Sequence, residues 1–125
     1  MGRNLMPVKK DGYSIEANER TQLLSVVLNG TFDMTASKDL QAFFDEVGEE
    51  IRATNPRQLN IDVTSVYYLG SSCIKAFVSL TAALKATPKH PTMRVLTSPR
   101  LDWQERTFAV LGRLAPEMVV VERMV

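Results

Sequence analysis

The chain has 125 residues, of which 45% are hydrophobic and 23% charged. This composition fits one globular domain with its own core and excludes a disordered chain. Fifteen Lys and Arg nearly balance fourteen Asp and Glu, giving a net charge of +1, so we expect no nucleic acid held by bulk charge. No apolar run reaches the length of a membrane span, so we expect no direct membrane insertion. The single cysteine excludes an internal disulfide and fits a cytoplasmic protein.

A β-hairpin is predicted near the start of the chain. Residues 1–12 have no periodic pattern and are expected to be a flexible leader, so that 13–125 form a single domain. Strand signals follow over residues 13–17 and, with apolar residues at every second position, over residues 24–29. Gly30 ends the second strand. Because the two strands are close in sequence, we expect them to pair antiparallel.

An amphipathic helix is predicted next. Its apolar residues recur at the spacing of one helix face: Leu40, Phe43, Phe44, Val47 and Ile51. Thr35 or Ser37 is a suitable cap for its start, and Asn55 followed by Pro56 marks its end.

Beyond this helix, strands and helices alternate. We expect, in chain order, a strand over 59–64, a helix over 71–86, a strand over 93–96, a helix from Ser98-Pro99 to Gly112 and a strand over 118–121. This alternation predicts parallel strands joined by right-handed helical crossovers. The predicted fold class is therefore α/β, with a mixed, mostly parallel β-sheet, a β-hairpin start and three or four helices packed on the sheet.

Few residues have the pattern of a catalytic or cofactor-binding site. His90 stands alone in a predicted loop, and no second His or Cys lies at metal-ligand spacing. The six glycines are scattered and form no phosphate-binding loop. Cys73 falls in the first turn of a predicted helix, where we favour a small packed residue over a thiol of lowered pKa. We therefore expect no cofactor and disfavour an enzyme.

The segment around Gly70 is distinctive, because two serines follow it directly at a predicted helix start. Paired serines are ordinary N-caps, but a serine there is also exposed and suited to phosphorylation, which adds about −1.5 to −2 charges. Lys75 lies one helical turn after Ser71, where it either pairs a phosphate or faces solvent. The alternation of the preceding strand predicts that one of Tyr67 and Tyr68 points inward and the other outward, unless both pack in the core.

Four segments share their order and spacing with one known family. Leu28–Asp33 is similar to the pattern L-x-G-x-hydrophobic-D, and Leu59–Val63 to the family's central strand. Tyr68–Ile74 is similar to F-hydrophobic-D-S-S-G-L, and Pro99–Leu114 to a segment ending in L-hydrophobic-x-x-x-G-L. Together these segments resemble the STAS domain family, in particular the bacterial anti-sigma factor antagonists. The resemblance covers residues 13–122 and implies a STAS-like fold.

The resemblance also implies a phosphorylation switch. In the family, a partner serine kinase phosphorylates the serine that matches Ser71, and Ser72 is the second candidate here. The unphosphorylated protein binds this kinase-type anti-sigma factor, and a metal-dependent serine phosphatase restores it. The partner-binding surface implied by the motifs comprises Thr31, Asp33, Tyr68, Gly70, Ser71, Ser72 and Lys75.

Two positions depart from the family pattern. Gly70 stands where the family has Asp, and Cys73 where it has Gly. The segment also resembles a divergent STAS-like group that has Asn at the first of these positions. Members of that group are phosphorylated and bind a diguanylate cyclase, so the departure leaves the switch open and widens the choice of partner.

Asp33 follows the end of one predicted strand, and Ser71 closely follows the end of the next. Because these ends should be neighbours at one edge of the sheet, we expect Asp33 to lie within about two helical turns, roughly 11 Å, of Ser71. The alternative role for Asp33 is to cap the helix that begins near Thr35.

Two functions follow from the resemblance. The leading hypothesis is a non-enzymatic, phosphorylation-controlled protein that acts in signal transduction and transcription regulation by partner switching. The alternative is a constitutive structural STAS subunit of a membrane transport complex, which the missing Asp at position 70 favours. A small enzyme is the third hypothesis and the least favoured.

Overall fold

The structure is a computed structural model that describes residues 5–124, and these residues form six strands and three helices. The strands are β1 (Val8–Lys10), β2 (Tyr13–Arg20), β3 (Leu23–Phe32), β4 (Gln58–Leu69), β5 (Thr92–Thr97) and β6 (Val119–Arg123). The helices are α1 (Met34–Thr54), α2 (Ser71–Lys85) and α3 (Trp103–Leu114).

Each strand lies beside its sequence neighbours in one sheet of order β1-β2-β3-β4-β5-β6. β2 runs antiparallel to both of its neighbours, β1 and β3, and β3 to β6 are parallel. Because the helices connect parallel strands that advance across the sheet in one direction, right-handed crossovers place all of them on the same face. The predicted α/β class, with its mixed sheet, hairpin start and three helices, is confirmed.

The core lies between the helices and the sheet face that they cover. Alternate strand residues point to this face, and neighbours such as Val26 and Ile61 are fully buried. Within this core, one phenylalanine from each helix joins a row of aromatic rings. The ring centroid of Phe77 in α2 lies 5.0 Å from that of Phe44 in α1 and 4.9 Å from that of Phe108 in α3, both in edge-on contact. This aromatic row joins the three helices into one layer.

An additional edge strand lies in the segment that we assigned to the leader. We placed residues 1–12 outside the domain, whereas residues 8–10 form β1 and pair antiparallel with β2, with Val8 opposite Ile15. The strand has only three residues, two of them lysines. Its own sequence therefore carries no alternating pattern, and its pairing depends on the open edge that β2 offers.

Helix α3 begins and ends later than expected. The predicted N-cap, Ser98, instead forms a turn in which its carbonyl accepts a hydrogen bond from the amide of Leu101 at 3.2 Å. The helix begins at Trp103 and continues through Gly112, where a β-carbon would meet nothing within 4 Å. The two predicted boundaries are wrong because Ser-Pro is a turn signal as well as a helix start, and a helix tolerates a single glycine.

Gly30 lies where the chain of β3 passes closest to the start of β2. Its φ is +107°, and a β-carbon there would lie 2.1 Å from the carbonyl oxygen of Gly12. The same carbonyl accepts a 2.9 Å hydrogen bond from the amide of Thr31. Both the backbone conformation and the available space therefore require glycine, so this residue of the family-like pattern has a structural role.

Tyr13 connects the hairpin to α1. Its hydroxyl donates a 2.6 Å hydrogen bond to Oδ2 of Asp39. This hydrogen bond is the main cause that raises the pKa of Tyr13 from 10.0 to about 12, and burial and the negative charge of Asp39 add to it. The neutral phenol is therefore the form that the folded state favours.

We expect Tyr13→Phe to lower the free energy of unfolding at neutral pH by about 1 kcal/mol. A folded-state pKa above the unfolded value means that this contribution is complete below pH 10 and disappears as the pH rises towards 12. Urea unfolding of both proteins across this range is the measurement, and Tyr67→Phe, at an exposed tyrosine, is the control. A difference between wild type and Tyr13→Phe that stays constant up to pH 12 would contradict the role of the hydrogen bond.

Candidate phosphorylation and partner-binding site

The ends of β3 and β4 lie side by side. Phe32 pairs with Leu69 across the two parallel strands, and the amide of Gly70 donates a 2.8 Å hydrogen bond to the carbonyl of Phe32. Asp33 and Ser71 are the next residues along the chain. Covalent geometry therefore keeps their α-carbons within about 10 Å of each other, which is inside the distance that we expected.

A β-bulge near the end of β4 shapes this surface. The register of β4 against β3 shifts between the pairs Gly30–Val66 and Thr31–Tyr68, which leaves Tyr67 as an extra residue. A bulge breaks the alternation of side chains, so Tyr67 and Tyr68 both face solvent, with 64% and 55% of their surface exposed. The expectation that one tyrosine points inward is wrong for this reason.

The bulged part of β4 has no strand beside it on the β5 side, because the pairing of β4 with β5 ends at residue 62. The side chain of Gln104 occupies this position instead. Gln104 lies in the first turn of α3 and is fully buried. Its Nε2 donates hydrogen bonds to the carbonyls of Val63 at 2.6 Å and Val66 at 2.9 Å, and its Oε1 accepts one from the amide of Ser98 at 2.8 Å. This one side chain therefore satisfies backbone groups that β5 does not reach.

Helix α2 begins with Gly70 as its N-cap and Ser71 as its first residue. The carbonyl of Gly70 accepts hydrogen bonds from the amides of Cys73 and Ile74, both at 3.0 Å, and no side chain caps the helix. The serine pair therefore does not provide the N-cap that the sequence suggested. Ser71 is exposed and Ser72 is half-buried, so the hydroxyl of Ser71 is accessible and has no capping role.

The ring of Tyr68 lies against Gly70. A β-carbon at Gly70 would lie 3.6 Å from Cε2 and 3.7 Å from the hydroxyl oxygen of Tyr68, which are ordinary contact distances. The φ of Gly70 is −76°, a conformation open to any residue. The backbone therefore does not require glycine at this position, and a β-carbon there makes only ordinary contacts, the nearest being the carbonyl oxygen of Phe32 at 3.5 Å.

Asp33 caps α1 and also contacts the start of α2. Its Oδ1 accepts a 2.9 Å hydrogen bond from the amide of Thr35, and its carbonyl accepts one of 3.5 Å from Sγ of Cys73. Cys73 is fully buried. Burial is the main cause that raises the pKa of its thiol, and a hydrogen bond with Ser72 acts in the opposite direction. The thiol is thus a packed structural group, as we favoured, and not a reactive thiolate.

Three large apolar side chains are exposed at this end of the sheet. Met34, the first residue of α1, is 81% exposed, and it joins Tyr67 and Tyr68 in a surface that we name the apolar rim. Sequence reasoning did not single out Met34, because one apolar residue at a helix start has no periodic signal. Lys75 is exposed in α2, one turn after Ser71.

The structure brings all the residues of the predicted surface to this end of the sheet: Thr31, Asp33, Tyr68, Gly70, Ser71, Ser72 and Lys75. His90 precedes β5 and lies at the opposite end, so it forms no catalytic pair with Ser71. Among residues 5–124, no group of three or more His, Cys, Asp or Glu is placed to hold a metal ion.

Comparison with solved structures decides which fold this is. An anti-sigma factor antagonist from Mycobacterium paratuberculosis is similar to this chain with a TM-score of 0.67 at 17% identity, over 88% of this chain and 85% of that one. The chain has the STAS fold of the anti-sigma factor antagonists. No protein-family model matches the sequence, and no curated protein matches it either.

Two structures of the anti-sigma factor antagonist SpoIIAA share this STAS fold. The unphosphorylated form has a TM-score of 0.58 at 12% identity, over 89% of this chain and 87% of that one. The phosphorylated form of SpoIIAA, a Bacillus cell fate determinant, has a TM-score of 0.57 at 14% identity, over 86% and 89%. The expected STAS-like fold is therefore confirmed. Within residues 5–124, no helix is long and apolar enough to cross a membrane.

Proposed function

We propose that the chain is a non-enzymatic, phosphorylation-controlled regulator that works by partner switching in the cytoplasm. With Ser71 unphosphorylated, it binds a serine kinase of the anti-sigma-factor type or another effector, such as a diguanylate cyclase. Phosphorylation of Ser71 by a kinase releases the bound partner, and a metal-dependent serine phosphatase restores binding. Ser72 is the second candidate for the phosphate.

The position of the Ser71 hydroxyl carries this proposal. Ser71 is exposed, begins α2 and has no capping role, so a kinase can reach it without unfolding the helix. A phosphate there would lie at the positive end of the helix dipole. The first turn of α2 has no acidic residue, and Lys75 supplies a positive charge one turn further along.

The apolar rim supports a protein as the partner. Tyrosine and methionine are enriched in protein interfaces, and the rim residues Tyr67 and Tyr68 lie in the strand that leads directly to Ser71. A phosphate on Ser71 would bring about −1.5 to −2 charges to the surface that the partner covers. Repulsion and the cost of desolvating this charge would then separate the complex.

The similar structures support the switch by analogy. SpoIIAA is known in an unphosphorylated and a phosphorylated form, and both have the fold of this chain. A phosphate on the STAS fold is therefore compatible with an intact domain. We infer that the same holds for this chain.

We expect a partner kinase to place phosphate on Ser71 and not on Ser72. The kinase is isolated by its binding to the wild-type chain and then incubated with the chain and ATP, and the phosphopeptides are identified by mass spectrometry. Ser71→Ala should abolish the modification, and Ser72→Ala is the matched control that should retain it. Phosphate confined to Ser72, or absent from both serines, would contradict this assignment.

Gly70 favours a second candidate function. It leaves no acidic group before Ser71 at the position where the family pattern has Asp, and this change fits a constitutive structural subunit of a membrane transport complex. Such a subunit would keep its partner whatever the charge at position 71. The two functions are therefore separated by whether a negative charge there releases the bound protein.

A further inference from the structure

The hydroxyl of Tyr68 lies beside the start of α2. A β-carbon at Gly70 would be 3.6 Å from Cε2 and 3.7 Å from the hydroxyl oxygen of Tyr68, so any side chain at position 70 would begin in contact with the edge of this ring. The family pattern has an aspartate at that position, where this chain has glycine. The side-chain group beside the helix start is therefore a phenol, which can donate a hydrogen bond, in place of a carboxylate, which only accepts.

Covalent geometry limits the distance between this hydroxyl and Ser71. The hydroxyl oxygen is 3.7 Å from the β-carbon position of Gly70, and Ser71 is one peptide unit further along, so the oxygen and the α-carbon of Ser71 are at most about 9 Å apart. Side chains of a helix lean towards its N-terminus, which for Ser71 is the direction of Gly70. A phosphate on Ser71 would therefore extend towards Tyr68.

The polar groups of Tyr68, Ser71 and Lys75 are available to a phosphate. Among the residues that the structure describes, none of the three makes a hydrogen bond or an ion pair through its side chain. The hydroxyl of Tyr13 differs in this respect, since it is engaged by Asp39. The hydroxyl of Tyr68 can therefore accept a new acceptor partner without breaking an existing contact within the domain.

We propose that the hydroxyl of Tyr68 donates a hydrogen bond to the phosphate of phosphorylated Ser71 and so stabilises the phosphorylated state. This role rests on the proposed function, in which Ser71 carries the phosphate. Hydrogen bonds to an ionised acceptor are stronger than those between neutral groups, whereas a carboxylate at position 70 would place a like charge next to the phosphate. Gly70 is therefore compatible with the switch, because Tyr68 supplies the group beside Ser71.

Phosphoserine incorporated at position 71 during translation provides the phosphorylated chain without a kinase. Its second pKa, ordinarily about 6, is measured by phosphorus-31 NMR. A donor to the dianion lowers this pKa, so Tyr68→Phe should raise it by about 0.5. Tyr67→Phe is the matched control, because it removes an exposed hydroxyl from the neighbouring residue, and it should leave the pKa unchanged. Asp33 and Lys75 are present in every variant and do not contribute to the difference.

Melting temperatures of the phosphorylated and unmodified chains, each with and without Tyr68→Phe, complete a double-mutant cycle. At pH 8, the substitution should lower the melting temperature by about 2–4 °C more in the phosphorylated chain than in the unmodified one. Equal losses in the two forms, or the same phosphate pKa in wild type and Tyr68→Phe, would overturn the proposal. Neither measurement involves a partner, so the result does not depend on whether the phosphate releases one, which Ser71→Asp tests separately.

Discussion

Ser71→Asp is expected to weaken binding of the partner by about 30- to 4,000-fold, because an unpaired charge covered by an interface costs about 2–5 kcal/mol. The fold should be unaffected. Ser71 is exposed at the first position of α2, and the first turn of that helix has no acidic residue. A carboxylate there interacts favourably with the helix dipole, by about 0.3–1 kcal/mol. The substitution should therefore separate binding from stability.

Affinity for the purified partner and the melting temperature are measured on the same samples. Ser71→Asn is the matched control, since its side chain has the size of aspartate without the charge, and it should bind close to the wild-type level. Ser71→Ala should bind and become insensitive to the kinase. Equal affinities of Ser71→Asp and wild type, at equal melting temperatures, would exclude partner switching and support the structural subunit.

Gln104→Leu should lower the free energy of unfolding by about 3 kcal/mol or more, because each unsatisfied buried backbone group costs about 1–3 kcal/mol. The substitution introduces an apolar side chain of similar size but leaves the carbonyls of Val63 and Val66 and the amide of Ser98 without their partner. For a domain of this size, the melting temperature should fall by about 10 °C or more.

Gln41→Leu is the control for this experiment. Gln41 lies in α1 and makes an exposed 2.9 Å hydrogen bond to Asp45, so the same substitution there should change stability by less than about 0.5 kcal/mol. Urea unfolding of both variants is the measurement. Equal losses of stability at the two positions would show that the buried hydrogen bonds of Gln104 do not hold the bulged segment of β4.

The order of the elements follows from periodicity, because the spacing of apolar residues reports which face of a strand or helix is buried. The alternation that includes Val26 and Ile61 and the helical spacing that includes Phe44 and Phe77 carry this information directly. The grouping of Asp33 with Ser71 is predictable for a related reason. The carboxyl ends of neighbouring parallel strands meet at the same edge of a sheet, so residues that closely follow those ends become neighbours.

The remaining features depend on relations between segments that a single stretch of sequence does not contain. Tyr67 and Tyr68 are both exposed because β4 has one more residue than β3 at the β-bulge. Nothing in the sequence of β4 marks the position of this bulge. Glutamine is usually found at protein surfaces, so the sequence gives no sign that Gln104 is buried. It is buried because the pairing of β5 with β4 ends early and leaves backbone groups of β4 for its side chain to bind. Met34 escaped sequence reasoning for the same reason, since its exposure beside Tyr67 and Tyr68 depends on where α1 begins relative to the strand ends.

Cys73 makes the site accessible to chemical measurement without an introduced label. It is the single cysteine of the sequence, it is fully buried, and its sulfur contacts the carbonyl of Asp33 beneath the first turn of α2. Burial and the raised pKa both protect the thiol, so a thiol reagent reacts only when this turn separates from the strand ends. The labelling rate of the native chain therefore reports the free energy of local opening. A partner that closes over Ser71 lowers that rate by mass action, so its binding can be followed through an atom that it never touches.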